Sequence, residues 1–180
     1  INIAIPEKAQ DIDVPTGFEI SSVKPHKLYS RLAGAMIDLD DELFSEENGN
    51  KGYWEGLSFF KEIGGNIYFL EEYDPQKIPI LFIHGATGTP NVWKYFVDNI
   101  DRTRFQPWLF YYPSGARIQG MSYLLLWKLQ NLKIKYNFEQ LYITAHSMGG
   151  LVARSFLMDH GADFPHVKLF VSLATPWGGS

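Results

Sequence analysis

The sequence predicts an α/β fold in which a mostly parallel sheet is covered by helices on both faces. Short apolar runs typical of buried strands alternate with longer segments in which apolar residues recur every three or four positions. This alternation favours parallel pairing, because a right-handed helical crossover returns the chain to the same edge of the sheet. The predicted strands are Asn66–Tyr73, Ile78–Ile83, Trp108–Tyr112, Leu141–Ala145 and Val167–Leu173.

Three segments between these strands have helical spacing. Thr89 and Pro90 are typical of an N-cap followed by a first helical residue, and apolar residues follow them at helical intervals. A second helix of about four turns is predicted over Met121–Tyr136. A third is predicted directly after Ser147 and extends through Met158.

The first third of the chain is less regular than the rest. Short helices are predicted near Leu28–Ile37 and Trp54–Lys61, and apolar residues are scattered among polar ones. We interpret residues 1–62 as an N-terminal extension that packs on a core domain formed by residues 63–180. Three prolines interrupt the extension, at Pro6, Pro15 and Pro25.

Composition excludes several classes of protein. With 46% apolar and 20% charged residues in 180, the chain is typical of one globular domain. A net charge of −4 without a Lys/Arg cluster argues against nucleic acid as a partner. No apolar run reaches the roughly 18 residues of a transmembrane segment. Cysteine is absent, which excludes disulfides, thiolate metal sites and a cysteine nucleophile. We expect neither a metal nor an organic cofactor, and the oligomeric state stays open.

The first residue is Ile1 and not methionine. We therefore expect that something upstream was removed, by processing or by design. Cleavage of an export signal in a bacterium would explain this start, and a cytoplasmic location stays open.

Ser147 lies where a predicted strand meets a predicted helix, with Ala145 two residues before it and Gly149 two residues after. So tight a turn holds the serine at strained backbone angles, and larger flanking side chains would clash across it. The turn raises the hydroxyl above the carboxyl edge of the sheet and places a helix N-terminus beneath it. This position predicts a catalytic nucleophile. The alternative is a serine that caps the helix, with glycines that permit close packing.

A second loop carries the other half of the predicted site. The strand Ile78–Ile83 ends in His84, Gly85 and Ala86. Acyl transfer passes through a tetrahedral oxyanion, which two fixed donors stabilise. The N–H of Met148 would be one donor, and the N–H of Ala86 is our candidate for the other. A plain turn at the end of a strand is the alternative.

These motifs together resemble bacterial lipases and esterases of the α/β-hydrolase superfamily. The tight turn at Ser147, called the nucleophile elbow in these enzymes, has alanine in place of the first glycine and is similar to that of small Bacillus-type lipases. The resemblance covers about residues 66–180 and implies the fold, ester substrates, the oxyanion roles, and supporting roles for His84, Gly85, His146 and Gly149. It is carried by His84-Gly85, by the elbow Ala145-His146-Ser147-Met148-Gly149-Gly150, and by the final Ala174-Thr175-Pro176-Trp177-Gly178-Gly179.

In such hydrolases the triad follows the chain order serine, acid, histidine. None of the five histidines of the chain is placed by the sequence pattern as a base for Ser147. We therefore expect an α/β-hydrolase core that is incomplete at its C-terminus, with the acid and the base beyond residue 180. The 180-residue piece alone would then be inactive, because an unassisted serine is a poor nucleophile.

The function predicted from the sequence is hydrolysis of carboxylic esters, lipids included, through an acyl-enzyme on Ser147. Thr87, Tyr112 and Trp177 could line the substrate pocket, although ordinary packing is an alternative for the two aromatic residues. Two other functions stay open. One is a binding protein that kept the fold without the chemistry, and the other is an acyltransferase that uses the same nucleophile.

Overall fold

The computed structural model describes residues 32–179. Six strands form one sheet in the order β1-β2-β4-β3-β5-β6. Strand β2 runs antiparallel to β4, and the other neighbouring pairs are parallel. The predicted mostly parallel sheet is therefore confirmed. The strands are β1 Ala35–Met36, β2 Asn66–Phe69, β3 Ile78–Ile83, β4 Phe105–Tyr111, β5 Leu141–His146 and β6 Val167–Leu173.

Helices cover both faces of this sheet, as predicted. The two longest, α4 and α5, pack on one face. Helices α2 and α3 pack on the other, together with the two 3₁₀ segments. The helices are α1 Glu46–Trp54, α2 Gly56–Glu62, α3 Lys94–Asn99, α4 Ile118–Tyr136 and α5 Met148–His160, and the 3₁₀ segments are Glu42–Phe44 and Pro90–Trp93.

The central strand β3 shows why its sequence is a continuous apolar run. Leu81 and Ile83 are buried in the core beneath α4 and α5, whereas Phe82 is buried in the core on the opposite face. Successive side chains of a strand point to opposite faces, so a strand covered on both sides needs apolar residues throughout. This is the part of the fold that carries the loop with His84.

Local signals also place the helix after β3. The Thr89 hydroxyl accepts a hydrogen bond from Asn91 N–H at 3.4 Å, and Pro90 is the first residue of the segment. The first turn is 3₁₀, however, and the α-helix begins only at Lys94. The predicted cap is therefore confirmed, while the helix that follows it is shorter than its apolar spacing indicates.

The described part of the predicted extension, residues 32–62, contacts both the sheet and its core. The predicted helix over Leu28–Ile37 is wrong where the structure describes it, because Ala35–Met36 forms β1 and pairs with β2. Phe44 and Phe59 are fully buried, and their rings lie edge-on to Tyr111 at 5.3 and 5.0 Å. Residues 1–31 lie outside the described residues, and the division at residue 62 stays a prediction.

Helix α1 packs against the loop that follows β4. The N–H of Gly115 donates to the carbonyl of Gly52 at 3.0 Å. A Cβ added at Gly115 would overlap the carbonyl oxygen of Tyr53. Glycine is therefore required here by the close approach of two backbones. Among the helices of residues 32–179, none combines the length and the apolar character needed to cross a bilayer.

We predict that Gly115→Ala lowers the free energy of unfolding by about 1–3 kcal/mol, because the new methyl group forces α1 away from the loop. Gly120→Ala is the matched control, since a Cβ at Gly120 meets nothing within 4 Å and the residue lies in helix α4. That change should stabilise the protein by about 0.5–1 kcal/mol. Urea denaturation of both variants measures the difference. Equal effects of the two substitutions would contradict the close approach.

Candidate active site

Ser147 occupies a strained turn between β5 and α5. Its φ of 52° and ψ of −128° lie outside the regions that non-glycine residues ordinarily adopt. Two backbone hydrogen bonds hold it there. Ser147 N–H donates to the carbonyl of Leu173 at 2.8 Å, and Gly150 N–H donates to the carbonyl of Ser147 at 3.0 Å. The half-buried side chain therefore leaves the sheet at the carboxyl end of β5.

The loop after β3 touches this turn directly. A Cβ added at Gly85 would lie 2.8 Å from the Cβ of Ser147 and 3.3 Å from its Oγ. A Cβ at Gly149 would lie 2.6 Å from the carbonyl oxygen of Ile83 and would also overlap that of His84. The two loops that the sequence predicts to meet are thus in contact, and the small residues are explained by that contact.

The two predicted oxyanion donors lie on these two loops. Met148 is the first residue of α5, where an N–H has no acceptor within its own helix. Ala86 is exposed in the turn after β3, and its N–H donates no hydrogen bond to another group of residues 32–179. The positive end of the α5 dipole adds to the field at this point. The oxyanion roles of both residues stay predictions.

His84 is fully buried beneath the same loop. Its Nδ1 lies 2.9 Å from the carbonyl oxygen of Gly85, and its Nε2 lies 3.4 Å from the N–H of Tyr112. These partners assign the proton to Nδ1 and the acceptor role to Nε2. Burial lowers the pKa of His84 to about 4. The ring is therefore neutral near pH 7, with both nitrogens occupied, and it supports the loop.

Three residues were predicted as possible pocket walls. Tyr112 is buried, stacks on the His84 ring at 4.5 Å and donates its hydroxyl to the carbonyl of His84 at 2.8 Å. It therefore lies beneath the loop. Thr87 is exposed at a φ of 55°. Trp177 is 46% exposed, with the Arg154 guanidinium 5.5 Å above its ring. A pocket role for the three stays a prediction.

The other described histidines lie away from the Ser147 hydroxyl. His146 is exposed, and its ring faces Trp93 at 6.5 Å. His160 ends helix α5. His166 precedes β6 at the amino edge of the sheet, about 20 Å away by the rise of β5. Within residues 32–179, no histidine makes a hydrogen bond to Ser147. No three His, Asp or Glu side chains of that range converge as metal ligands either.

No individual role at the site was predicted from the sequence for two residues at this edge. The Oγ of Ser114, a buried residue after β4, accepts a hydrogen bond from Thr87 N–H at 3.0 Å. Ala174 follows β6 at a φ of 49°. Thr87, Ser147 and Ala174 are three of the four non-glycine residues with positive φ among the described residues, and all follow parallel strands. The Pro-Ser-Gly turn could have indicated Ser114, and Ala174 begins the final motif that carries the resemblance.

We predict that the buried neutral His84 makes stability depend on pH. The unfolded chain takes up a proton near the ordinary pKa of 6.5, whereas the folded protein does not until about pH 4. The free energy of unfolding should therefore fall by about 3 kcal/mol as pH decreases through this window, and be fully recovered above it. Urea denaturation between pH 4 and 7 measures this slope.

His84→Gln should flatten the slope, because glutamine has no proton to take up. His146→Gln serves as the control, since His146 is exposed, and it should keep the wild-type slope. A slope that persists unchanged in His84→Gln would contradict the assignment of a buried neutral imidazole.

Comparison with known proteins adds to this geometry. Residues 115–180 match the family model described as "Alpha/beta hydrolase of unknown function (DUF915)". A search of curated proteins found no match. Among solved structures, the mature lipase BlEst2 of Bacillus licheniformis is similar, with 25% identity and a TM-score of 0.49 over 59% of this chain and 44% of that one.

Two further structures share less sequence. A carboxylesterase of Nitrososphaera gargenis has 19% identity and a TM-score of 0.46 over 62% of this chain and 42% of that one. The 2-hydroxy-6-oxo-6-phenylhexa-2,4-dienoate hydrolase of Rhodococcus sp. strain RHA1 has 17% identity and a TM-score of 0.44, over 57% and 40%. The chain thus spans less than half the length of these proteins.

The sheet order, the helices on both faces and the turn at Ser147 agree with the family match over the C-terminal part of the chain. The predicted resemblance is confirmed at this level: the chain has an α/β-hydrolase fold, and its residues 115–180 match an α/β-hydrolase family of unknown function.

Proposed function

We propose that this protein is a serine hydrolase that cleaves carboxylic esters through an acyl-enzyme on Ser147. The strongest support for this proposal is the backbone geometry of Ser147. The strained backbone of Ser147 lies against Gly85, so that a side chain on Gly85 would lie 3.3 Å from the serine Oγ. Strain that the surrounding structure maintains is typical of functional positions. A serine that only caps a helix needs no strained backbone angles, and the Ser147 side chain makes no cap hydrogen bond.

The proposed reaction has two steps on the same oxygen. Ser147 Oγ attacks the ester carbonyl carbon as its proton passes to a general base, and the carbonyl oxygen becomes an oxyanion. The N–H groups of Ala86 and Met148 donate to that oxygen. Collapse of the intermediate breaks the bond to the alcohol, which leaves with the proton from the base. Water then attacks the acyl-enzyme in the same way, and the carboxylic acid product is released.

We propose that the base and the acid come from outside residues 32–179, in the order serine, acid, histidine and beyond residue 180. Two observations support this. His84 is neutral with both ring nitrogens occupied, and the remaining described histidines face other groups. A base for Ser147 must lie within about 3 Å of its hydroxyl.

We propose an uncharged or weakly charged ester as substrate, either a short ester or a lipid. Exposed apolar side chains occur on the segments that follow β3 and β6. Val92 and Phe96, on the segment after the Ala86 loop, are 50% and 41% exposed, and Trp177, in the loop after β6, is 46% exposed. Such surfaces suit an acyl chain better than a charged group.

We predict that Ser147→Ala abolishes labelling of the full-length protein by a fluorophosphonate and lowers kcat for p-nitrophenyl esters by at least about four orders of magnitude. Ser155→Ala is the matched control on the same helix, because its hydroxyl only donates to Asp159 at 2.9 Å. It should label and turn over as wild type does. Labelling that survives in Ser147→Ala, or a full-length wild type that neither labels nor turns over esters, would refute the proposal; the latter would favour a binding protein.

We also predict that residues 1–180 alone hydrolyse p-nitrophenyl acetate about 10²–10⁴-fold more slowly than the full-length protein, because base assistance contributes about that factor. Both proteins are assayed at equal concentration, each beside its Ser147→Ala variant. Equal Ser147-dependent rates would mean that the base lies within the 180 residues.

A further inference from the structure

We propose that Ser114 is a positioning residue that holds the loop carrying the oxyanion donor Ala86. The inference rests on the proposed ester hydrolysis and adds a residue to it. The Ser114 side chain makes no hydrogen bond to Ser147. Its Oγ accepts a hydrogen bond from Thr87 N–H at 3.0 Å, one residue after Ala86.

Hydrogen bonds fix much of the loop and leave the N–H of Ala86 unused. The carbonyl of His84 accepts from the Tyr112 hydroxyl at 2.8 Å. The carbonyl of Gly85 accepts from the His84 ring at 2.9 Å and from Gly88 N–H at 3.2 Å. Thr87 N–H donates to Ser114. Ala86 N–H is directed to no described group, which is what an oxyanion donor requires before substrate binds.

The Thr87 backbone needs this support. Its φ of 55° is unfavourable for a β-branched residue, which relaxes to negative φ unless the surroundings prevent it. Such a relaxation would rotate the peptides on either side of Ala86. The hydrogen bond to Ser114 opposes it, because the Thr87 N–H would lose its acceptor on turning.

Ser114 is itself held firmly. The residue is 2% exposed and follows β4, which is the parallel neighbour of β3, so both loops leave the same edge of the sheet. The preceding Tyr112 is fixed by His84, and the following Gly115 donates to the carbonyl of Gly52 in α1 at 3.0 Å. The acceptor therefore sits on a rigid frame, and helix α1 joins in holding the oxyanion loop.

Ser114→Ala in the full-length protein tests the inference. We expect kcat to fall about 10- to 100-fold, because misplacement of one oxyanion donor acts on the transition state. KM should change by less than about threefold. Amide exchange over residues 84–88, followed by mass spectrometry, should become faster. Ser114→Thr keeps the oxygen and should restore kcat to within about threefold of wild type.

Ser122→Ala is the control for a buried hydroxyl. Ser122 is fully buried in α4, and its Oγ has no hydrogen-bond partner among the described residues. It should leave kcat and the exchange of residues 84–88 unchanged. An unchanged kcat in Ser114→Ala, or an equal loss in Ser122→Ala, overturns the positioning role. Ser147→Ala is assayed in parallel. If Ser147→Ala stays active, the proposed hydrolysis itself is refuted. If Ser147→Ala is inactive and Ser114→Ala keeps the wild-type kcat, only the positioning role is refuted.

Discussion

The structure depends on keeping one residue in a backbone conformation that it would not choose alone. A serine at a φ of 52° and ψ of −128° costs on the order of 1–3 kcal/mol, a substantial share of the 5–15 kcal/mol by which a domain is stable. The cost is tolerated because both ends of the turn belong to rigid elements. Strand β5 is hydrogen-bonded on both sides, and α5 is buried along Val152 and Phe156. The surroundings leave Ser147 no room to relax.

Other loops at the same edge of the sheet also hold residues at unfavourable backbone angles. Strands β3, β5 and β6 each deliver a non-glycine residue with positive φ just beyond their carboxyl ends. Open α/β sheets bind ligands outside the carboxyl ends of their strands. Parallel strands have the same direction, so their strained loops gather on one edge, where each packs against the next. Thr175 illustrates this, because its side chain occupies the space that a Cβ on Gly150 would need.

The sequence predicts those features whose causes lie within a few residues of one another, and it does not predict those that depend on contacts between distant parts of the chain. Strand β3, with apolar neighbours on both faces, and the turn at Ser147 have signals within a few residues, and the structure has both where the pattern places them. Helix α1 has a local start signal in its N-cap Ser45 and the acidic residues of its first turn, but its sequence EENGNKGYW contains poor helix formers, which hide the rest of the helix. Gly49 is there for a distant reason, because a Cβ would lie 2.5 Å from the Thr87 carbonyl oxygen. A residue chosen for contact with a remote loop obscures the local pattern of its own helix.

His84 shows how the candidate site separates support from chemistry. A histidine that takes up a proton during catalysis needs a free ring nitrogen and a pKa near the working pH. Burial against Tyr112 denies His84 both, and its two nitrogens instead bond to the carbonyl of Gly85 in the loop and to the N–H of Tyr112 after β4. The histidine nearest in sequence to the proposed oxyanion donor is thus the one least able to act as a base. Holding a loop rigid and transferring a proton place opposite demands on an imidazole, so the proposed hydrolysis takes its base from another part of the molecule.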